Sequence, residues 1–286
     1  MRVADLGGLA VRAENSQARN RDDGRERGAP VSRCPATLGG MSVNSPDELR
    51  ALQAAGRVVA ATIRAMRRAV RPGVTTAELD AVAEREFARA GARSGPALDY
   101  GFPGVTCISV NDEAVHGIPG RRRLRGGDIV KLDVTAELDG FYADACRTVV
   151  VGDARPGALR LVRTAEQALA RALKVATSGQ PLNAIGAAVQ KTVEARGYSL
   201  CDGLMGHGIG RRIHEPPNVP NHYEAALSQP LSEGLVITVE PLVAAGGGAV
   251  WLASDGWTVR TADASPVAHV EHTLVVRDGA PLVLTA

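Results

Sequence analysis

The sequence predicts an α+β fold built from two halves of similar construction. Predicted helices at 49–70 and 76–90 precede short strand-like segments, and a second helix pair at 158–176 and 182–196 precedes a strand-rich stretch at 235–284. Strands that are grouped after helices, instead of alternating with them, are typical of α+β proteins. The repeated order of helix, helix and strands therefore indicates two related halves.

The helix ends follow from local signals. Ser45-Pro-Asp-Glu48 combines a capping box with proline at the first helical position, and Arg71-Pro-Gly ends the first helix. Gly91 and Gly197 stop the second and the fourth helix. Between the helix pairs, the segments 105–110, 128–137 and 141–151 alternate as strands do.

Composition limits the possible functions. With 286 residues, 45% of them apolar, the chain can bury a sizeable core. Its 33 basic and 31 acidic residues nearly balance, which argues against a general nucleic-acid binder. The four scattered cysteines predict no disulfide framework, and no apolar run is long enough for a bilayer, so we expect a cytoplasmic protein. Residues 1–40 lack periodicity and are predicted to be a disordered extension before a domain at 41–286.

An acidic hairpin is the most informative local feature. Asp139-Gly140 lies between two strand-like runs and favours a two-residue turn. Counting outward from that turn places Asp133 opposite Cys146 and Thr135 opposite Asp144, with all four side chains on one face. The two carboxylates are then diagonal neighbours, about 7–8 Å apart between α-carbons. They indicate either a solvated outer face or a bound cation that offsets their repulsion.

Further oxygen and nitrogen donors lie in the second half. His207 is flanked by glycines that allow the backbone to come close to whatever the imidazole binds, Glu240 ends an alternating strand, and Glu271 lies in another apolar run. Four carboxylates and one imidazole suit Mn, Fe(II), Co or Zn in five- or six-coordination. Their charge is enough for two divalent ions, which favours two-metal hydrolysis.

Several sequence strings, taken in order, resemble the type I methionine aminopeptidases. The strings are NDEAVHGIP at 111–119, GHGIGRRIHEPP at 206–217, TVEP at 238–241, DGWTV at 255–259 and EHT at 271–273, together with the ligand set Asp133, Asp144, His207, Glu240 and Glu271. The resemblance covers about 46–278. It implies a pita-bread, creatinase/aminopeptidase-like fold, with a dinuclear metal site between two pseudo-symmetric halves. It also implies that 41–286 is a catalytic domain that removes the initiator methionine from nascent polypeptides and prefers a small uncharged second residue.

The resemblance implies a role for each site residue. Asp133 chelates the first of two cations (Co, Mn, Fe(II) or Zn), Asp144 and Glu271 bridge both, and His207 and Glu240 complete the second. Glu240 also accepts a proton from water. Two further histidines contact the substrate: His214 donates a hydrogen bond to the scissile carbonyl oxygen, and His116 contacts the scissile nitrogen or the adjoining peptide.

The methionine pocket is implied at four positions and departs from the family at others. The lining positions are Phe102, Cys107, Ile213 and Trp257. Ile213 stands where phenylalanine is common, Asp99 where tyrosine is usual, and Val270 where an aromatic residue is frequent. A less aromatic and more open pocket is therefore expected.

Two other functions remain as alternatives. A Xaa-Pro aminopeptidase-like enzyme of the same fold shares the five ligands, but the HGIP and DGWTV strings argue against it. A non-catalytic relative that binds ribosomes or RNA would be expected to have lost ligands. We expect a monomer that acts on the N-termini of nascent chains, with transient ribosome contact and without specific binding of nucleic acid or membrane.

Overall fold

The computed structural model describes residues 40–286, so the predicted extension at 1–40 lies almost entirely outside the described residues. The helices over this range are α1 Pro46–Ala69, α2 Thr76–Ala90, α3 Gly95–Tyr100, α4 Pro156–Val175 and α5 Asn183–Glu194. The strands are β1 Arg93–Ser94, β2 Cys107–Val110, β3 Glu113–Val115, β4 Ile129–Leu138, β5 Phe141–Val150, β6 Ser199–Leu200, β7 Gly206–Gly208, β8 Glu215–Val219, β9 Val236–Val239, β10 Leu242–Ala244, β11 Val250–Leu252, β12 Val259–Thr261, β13 Val267–His269, β14 His272–Val275 and β15 Leu282–Val283.

The first helix begins at the predicted cap, and the second begins at a capping box that was not predicted. The Ser45 hydroxyl accepts a hydrogen bond from the Glu48 backbone N–H at 3.2 Å. Thr75 and Glu78 form a reciprocal capping box at the start of α2, and Gly91 ends that helix in the left-handed region with φ 70°. The predicted positions of four helices are confirmed to within a few residues.

The acidic hairpin has the predicted register throughout. Asp133 pairs with Cys146 and Thr135 with Asp144, in ten successive pairs of β4 and β5. Asp139 and Gly140 have φ values of 51° and 84°, as a turn with two left-handed residues requires. The turn therefore fixes which side chains share a face with Asp133.

The first helix pair packs on one antiparallel sheet, the second pair packs on strands of two antiparallel sheets, and each pair has its own core. In the first half, α1 and α2 pack on the sheet in which β4 pairs with β1, β2 and β5. In the second half, α4 and α5 pack against strands β9, β10, β13 and β14. The longest sheet of this half has the order β15-β14-β9-β7-β8. The predicted division into two similar halves is confirmed.

Several short elements were not predicted, among them helix α3 and strand β8. Helix α3 is too short, at six residues, to produce a periodic pattern. Strand β8 contains Pro216 and Pro217 and lies at the edge of its sheet, where missing N–H donors are tolerated. The strand predicted at 105–110 begins only at Cys107. No helix within 40–286 is long and apolar enough to cross a membrane.

The two halves are joined by hydrogen bonds between β5 and the start of β14. The Asp144 N–H donates to the Thr273 hydroxyl at 2.9 Å, and that hydroxyl donates to the Asp144 carbonyl at 2.8 Å. The Glu271 N–H donates to the Cys146 carbonyl at 3.0 Å. These bonds set the carboxylates of Asp144 and Glu271 side by side, although 127 positions separate them in the chain.

Candidate metal centre

The predicted donors converge where the halves meet. Ligand atoms of Asp144, His207 and Glu271 all lie within 4.8 Å of one another, and all three residues are buried. Oδ1 of Asp144 and Oε1 of Glu271 have no hydrogen-bond partner among residues 40–286. Buried oxygens without a donor are costly unless a cation or a proton satisfies them, so this triplet fits a metal ion. We use "candidate metal centre" for this triplet together with Asp133 and Glu240.

Glu240 adjoins the triplet from the second half. It follows β9 directly, and its Oε1 lies 3.7 Å from Nε2 of His207. The Thr238 hydroxyl donates to the same Oε1 at 3.1 Å and accepts from the His207 N–H at 3.0 Å. Thr238 therefore fixes both the imidazole-bearing strand and one oxygen of Glu240. The sequence stretch TVEP contained this residue, but no role for it was predicted.

The absence of a side chain at the two glycines beside His207 is required by the close packing of neighbouring strands. A Cβ on Gly206 would lie 2.6 Å from the Thr238 carbonyl oxygen, and one on Gly208 would lie 2.0 Å from the Pro216 carbonyl oxygen. The close approach that the structure shows is to the neighbouring strands β9 and β8. The glycines allow β7 to lie between these strands, which positions His207.

Burial and mutual repulsion favour the protonated carboxyls. Burial raises the pKa of Asp144 to about 6 and that of Glu240 to about 7. Burial, and then the charges of Asp144 and Glu240, raise the pKa values of Asp133 and Glu271 well above their ordinary range. A divalent cation would offset the cost of ionising four buried carboxyls, because it favours the ionised form of each.

The two auxiliary histidines lie beside the centre. The ring centroids of His214 and His207 are 4.2 Å apart, and burial, with His207 and His116 nearby, lowers the pKa of His214 well below its usual value. His116 follows β3 with a left-handed φ of 57° and has an exposed side chain. Tyr100, which the sequence did not single out, places its hydroxyl 2.6 Å from Nδ1 of His214.

The four residues predicted to line the pocket make different contacts in the structure. Phe102 and Trp257 meet edge to face, with ring centroids 5.2 Å apart. Cys107 pairs with Asp133 across β2 and β4, and burial beside carboxylates raises the pKa of its thiol well above the ordinary value. The thiol therefore stays protonated, as expected of a wall residue. Ile213 belongs to a buried hydrophobic cluster that includes Phe141 and Tyr142.

The unusual Asp99 is held by hydrogen bonds. Its carboxylate accepts from the Tyr142 hydroxyl at 2.7 Å and from the Ile213 N–H at 3.3 Å. Asp99 therefore anchors the segment that carries Ile213 and His214.

A fourth histidine also faces the centre and was not predicted. His269 is 2% exposed and lies two residues before Glu271. Its signal was available, because residues two apart in an extended segment point to the same side. Burial lowers its pKa to about 3.

Comparison with known proteins gives a consistent result. The model of metallopeptidase family M24 matches residues 50–278. Methionine aminopeptidase 2 of Bacillus subtilis is 40% identical over 247 residues, which cover 86% of this chain and 99% of that protein. A methionine aminopeptidase structure from Rickettsia prowazekii has a TM-score of 0.83 at 35% identity, covering 86% of this chain and 100% of its own. A prolidase from Pyrococcus furiosus, 22% identical with a TM-score of 0.68, shares the fold; it is covered over 64% of its length and this chain over 85%.

Proposed function

The chain belongs to metallopeptidase family M24 and, within it, to the methionine aminopeptidases, and on this premise we propose that its candidate metal centre holds two divalent cations. The fold is the predicted pita-bread fold, and the activity is removal of N-terminal methionine. The observation that carries the proposal is the buried triplet of Asp144, His207 and Glu271, whose ligand atoms lie within 4.8 Å of one another. Asp133 and Glu240 extend it from the two sides.

The centre and its neighbours divide the chemistry. When bound, divalent cations polarise water and the substrate carbonyl. Glu240 accepts the proton from the attacking water at a carboxylate oxygen and returns it to the leaving amine. In the metal-free protein burial raises the pKa of Glu240 to about 7, and a bound cation would favour the ionised carboxylate, which is the form that accepts a proton.

The substrate peptide is oriented by the two auxiliary histidines. His214 donates a hydrogen bond to the scissile carbonyl oxygen, where negative charge develops. His116 contacts the scissile nitrogen or the adjoining peptide from its exposed position after β3. The ring of His214 packs against that of His207, with centroids 4.2 Å apart, which supports its placement.

The methionine side chain enters an apolar pocket. Phe102 and Trp257 form one wall by their edge-to-face contact, and Cys107 and Ile213 supply further lining. A small uncharged second residue fits best, because larger side chains crowd the space beyond the pocket. Asp99 makes the pocket more open than an aromatic residue at that position would.

The cellular setting follows from the substrate. The protein acts on the N-termini of polypeptides, and we propose that it meets nascent chains in the cytoplasm as a monomer that contacts ribosomes transiently. Its near balance of 33 basic and 31 acidic residues supports the absence of specific nucleic-acid binding. Within the described residues, Cys107, Cys146 and Cys201 are buried and form no disulfide with one another, which supports a reducing compartment.

Release of free methionine from Met-Ala-Ser tests the proposal. The full chain is expected to cleave this peptide with Mn²⁺ or Co²⁺ and to lose activity with chelator. Met-Lys-Ser is the matched substrate for the second-residue preference and should be cleaved at least about tenfold more slowly. Cleavage of Ala-Pro-Ser in preference to Met-Ala-Ser would contradict the methionine pocket and favour the Xaa-Pro alternative.

A further inference from the structure

His269 is a buried imidazole whose two ring nitrogens have no hydrogen-bond partner within the described part of the chain. Its Nε2 lies 3.5 Å from Oε2 of Glu240 and 3.9 Å from Oε2 of Glu271. Among the described residues, neither ring nitrogen makes a hydrogen bond. Buried polar atoms in folded proteins are normally paired, so this ring calls for a functional explanation.

The ring is held in place from its backbone. The His269 N–H donates to the Thr148 hydroxyl at 2.9 Å, and that hydroxyl donates to the His269 carbonyl at 2.6 Å. On the other side, β13 pairs His269 with Leu242 of β10. Since both flanks of the residue are fixed by strand contacts, the imidazole points at the carboxylates because of the fold.

Glu240 lacks a donor on the side that faces His269. Its Oε1 receives the Thr238 hydroxyl and lies near His207, whereas no hydrogen bond from the described residues reaches Oε2. Two basic side chains of this region donate to other acceptors. Nζ of Lys131 donates to the Asn111 carbonyl at 2.7 Å, and Arg147 donates to the Glu271 carbonyl at 2.8 Å. Among the described residues, His269 therefore offers Oε2 an unpartnered ring nitrogen at 3.5 Å.

We propose that His269 donates its Nε2–H to Oε2 of Glu240, with Glu271 as a secondary acceptor, and so positions these carboxylates for metal binding. This inference rests on the proposed metal centre. With Thr238 on one oxygen and His269 on the other, the carboxylate of Glu240 cannot rotate freely. Hydrogen bonds to ligating carboxylates orient them, and their loss typically costs about 10–100-fold in metal affinity.

Two substitutions at one position separate the possible roles. His269→Gln retains an N–H donor that can reach Glu240, whereas His269→Leu removes the donor at similar volume. Mn²⁺ affinity is measured by titration calorimetry on metal-free full-length protein, with circular dichroism and thermal unfolding to verify the fold. His269→Met, with a more adaptable side chain, replaces the leucine variant if that one does not fold.

The leucine variant should bind at least one Mn²⁺ about 10–100-fold more weakly, while the glutamine variant stays within about threefold of the wild type. Equal affinity in the leucine and wild-type proteins would overturn the inference, because His269 would then only fill the core. An equal loss in both variants would also overturn it, since the imidazole itself would be needed as a ligand. If the wild type bound no Mn²⁺ and released no methionine, the proposed function would fail instead.

Discussion

The Tyr100 hydroxyl lies 2.6 Å from Nδ1 of His214, with the two ring centroids 5.5 Å apart. Burial raises the pKa of Tyr100 to about 12, so the phenol keeps its proton at neutral pH. A neutral imidazole that accepts a hydrogen bond from this hydroxyl at Nδ1 carries its own hydrogen on Nε2. This is the form of His214 that can donate to the oxygen of a scissile carbonyl.

Tyr100→Phe should therefore lower kcat for Met-Ala-Ser about tenfold while leaving KM within about threefold, because the tautomer of His214 is no longer fixed. Metal content should not change. Tyr223→Phe, at an exposed tyrosine outside the centre, is the matched control and should behave like the wild type. An unchanged kcat in Tyr100→Phe would remove the positioning role.

Asp144→Asn should abolish binding of at least one Mn²⁺ and reduce turnover at least about 100-fold, because the triplet loses an anionic ligand. The matched control is Asp139→Asn in the turn of the same hairpin. Asp139 is exposed with φ 51°, a conformation that asparagine tolerates. Calorimetric Mn²⁺ titration of both variants checks this expectation, and full metal binding by Asp144→Asn would refute it.

Glu240→Gln should stabilise the metal-free protein in a pH-dependent way. Burial raises the pKa of Glu240 from 4.5 to about 7, so the folded state binds more protons than the unfolded state between these values. The wild type therefore loses stability as pH rises through this window, whereas glutamine does not titrate. In chelator, the Tm difference between variant and wild type should be small at pH 4.5, grow up to pH 7 and then level off. A constant difference from pH 4.5 to 8 would count against the raised pKa.

Trp257→Ala should reduce kcat/KM for Met-Ala-Ser about tenfold, because Phe102 loses the edge-to-face partner that shapes the pocket wall. The second tryptophan of the chain, Trp251, is 48% exposed and provides the matched control. Kinetics with Met-Ala-Ser for both alanine variants make the comparison. Equal kcat/KM values for Trp257→Ala and Trp251→Ala would show that Trp257 does not line the methionine pocket.

Local rules predicted the acidic hairpin down to its register. An Asp-Gly turn between two alternating runs determines which residues face each other, so Asp133 and Asp144 were placed on one face without any tertiary information. The same rules could not bring Glu271 to Asp144. That contact depends on bonds through Thr273 between the halves, and no local pattern encodes it. The expectation that joined the halves came from a family resemblance.

The surroundings of the ligands were the least predictable part. The sequence predicted that Asp99 leaves the pocket more open. In the structure its carboxylate accepts hydrogen bonds from Tyr142 and Ile213, which are tertiary contacts that no local pattern predicts. Its neighbour Tyr100 contacts His214 from the end of helix α3. This contact could not be predicted, because a helix of six residues produces no periodic pattern. His269 had a signal in its spacing from Glu271, yet its partner Glu240 comes from another strand.

The central claim is that residues from both halves hold two divalent cations at one buried centre. Crystals of the full chain grown with Mn²⁺ and measured for anomalous scattering test it most directly. Two anomalous peaks should lie among the side chains of Asp133, Asp144, His207, Glu240 and Glu271. The carboxylates of Asp144 and Glu271 should lie within coordination distance of both peaks. No peak at this centre, or peaks bound only by other residues, would contradict the account.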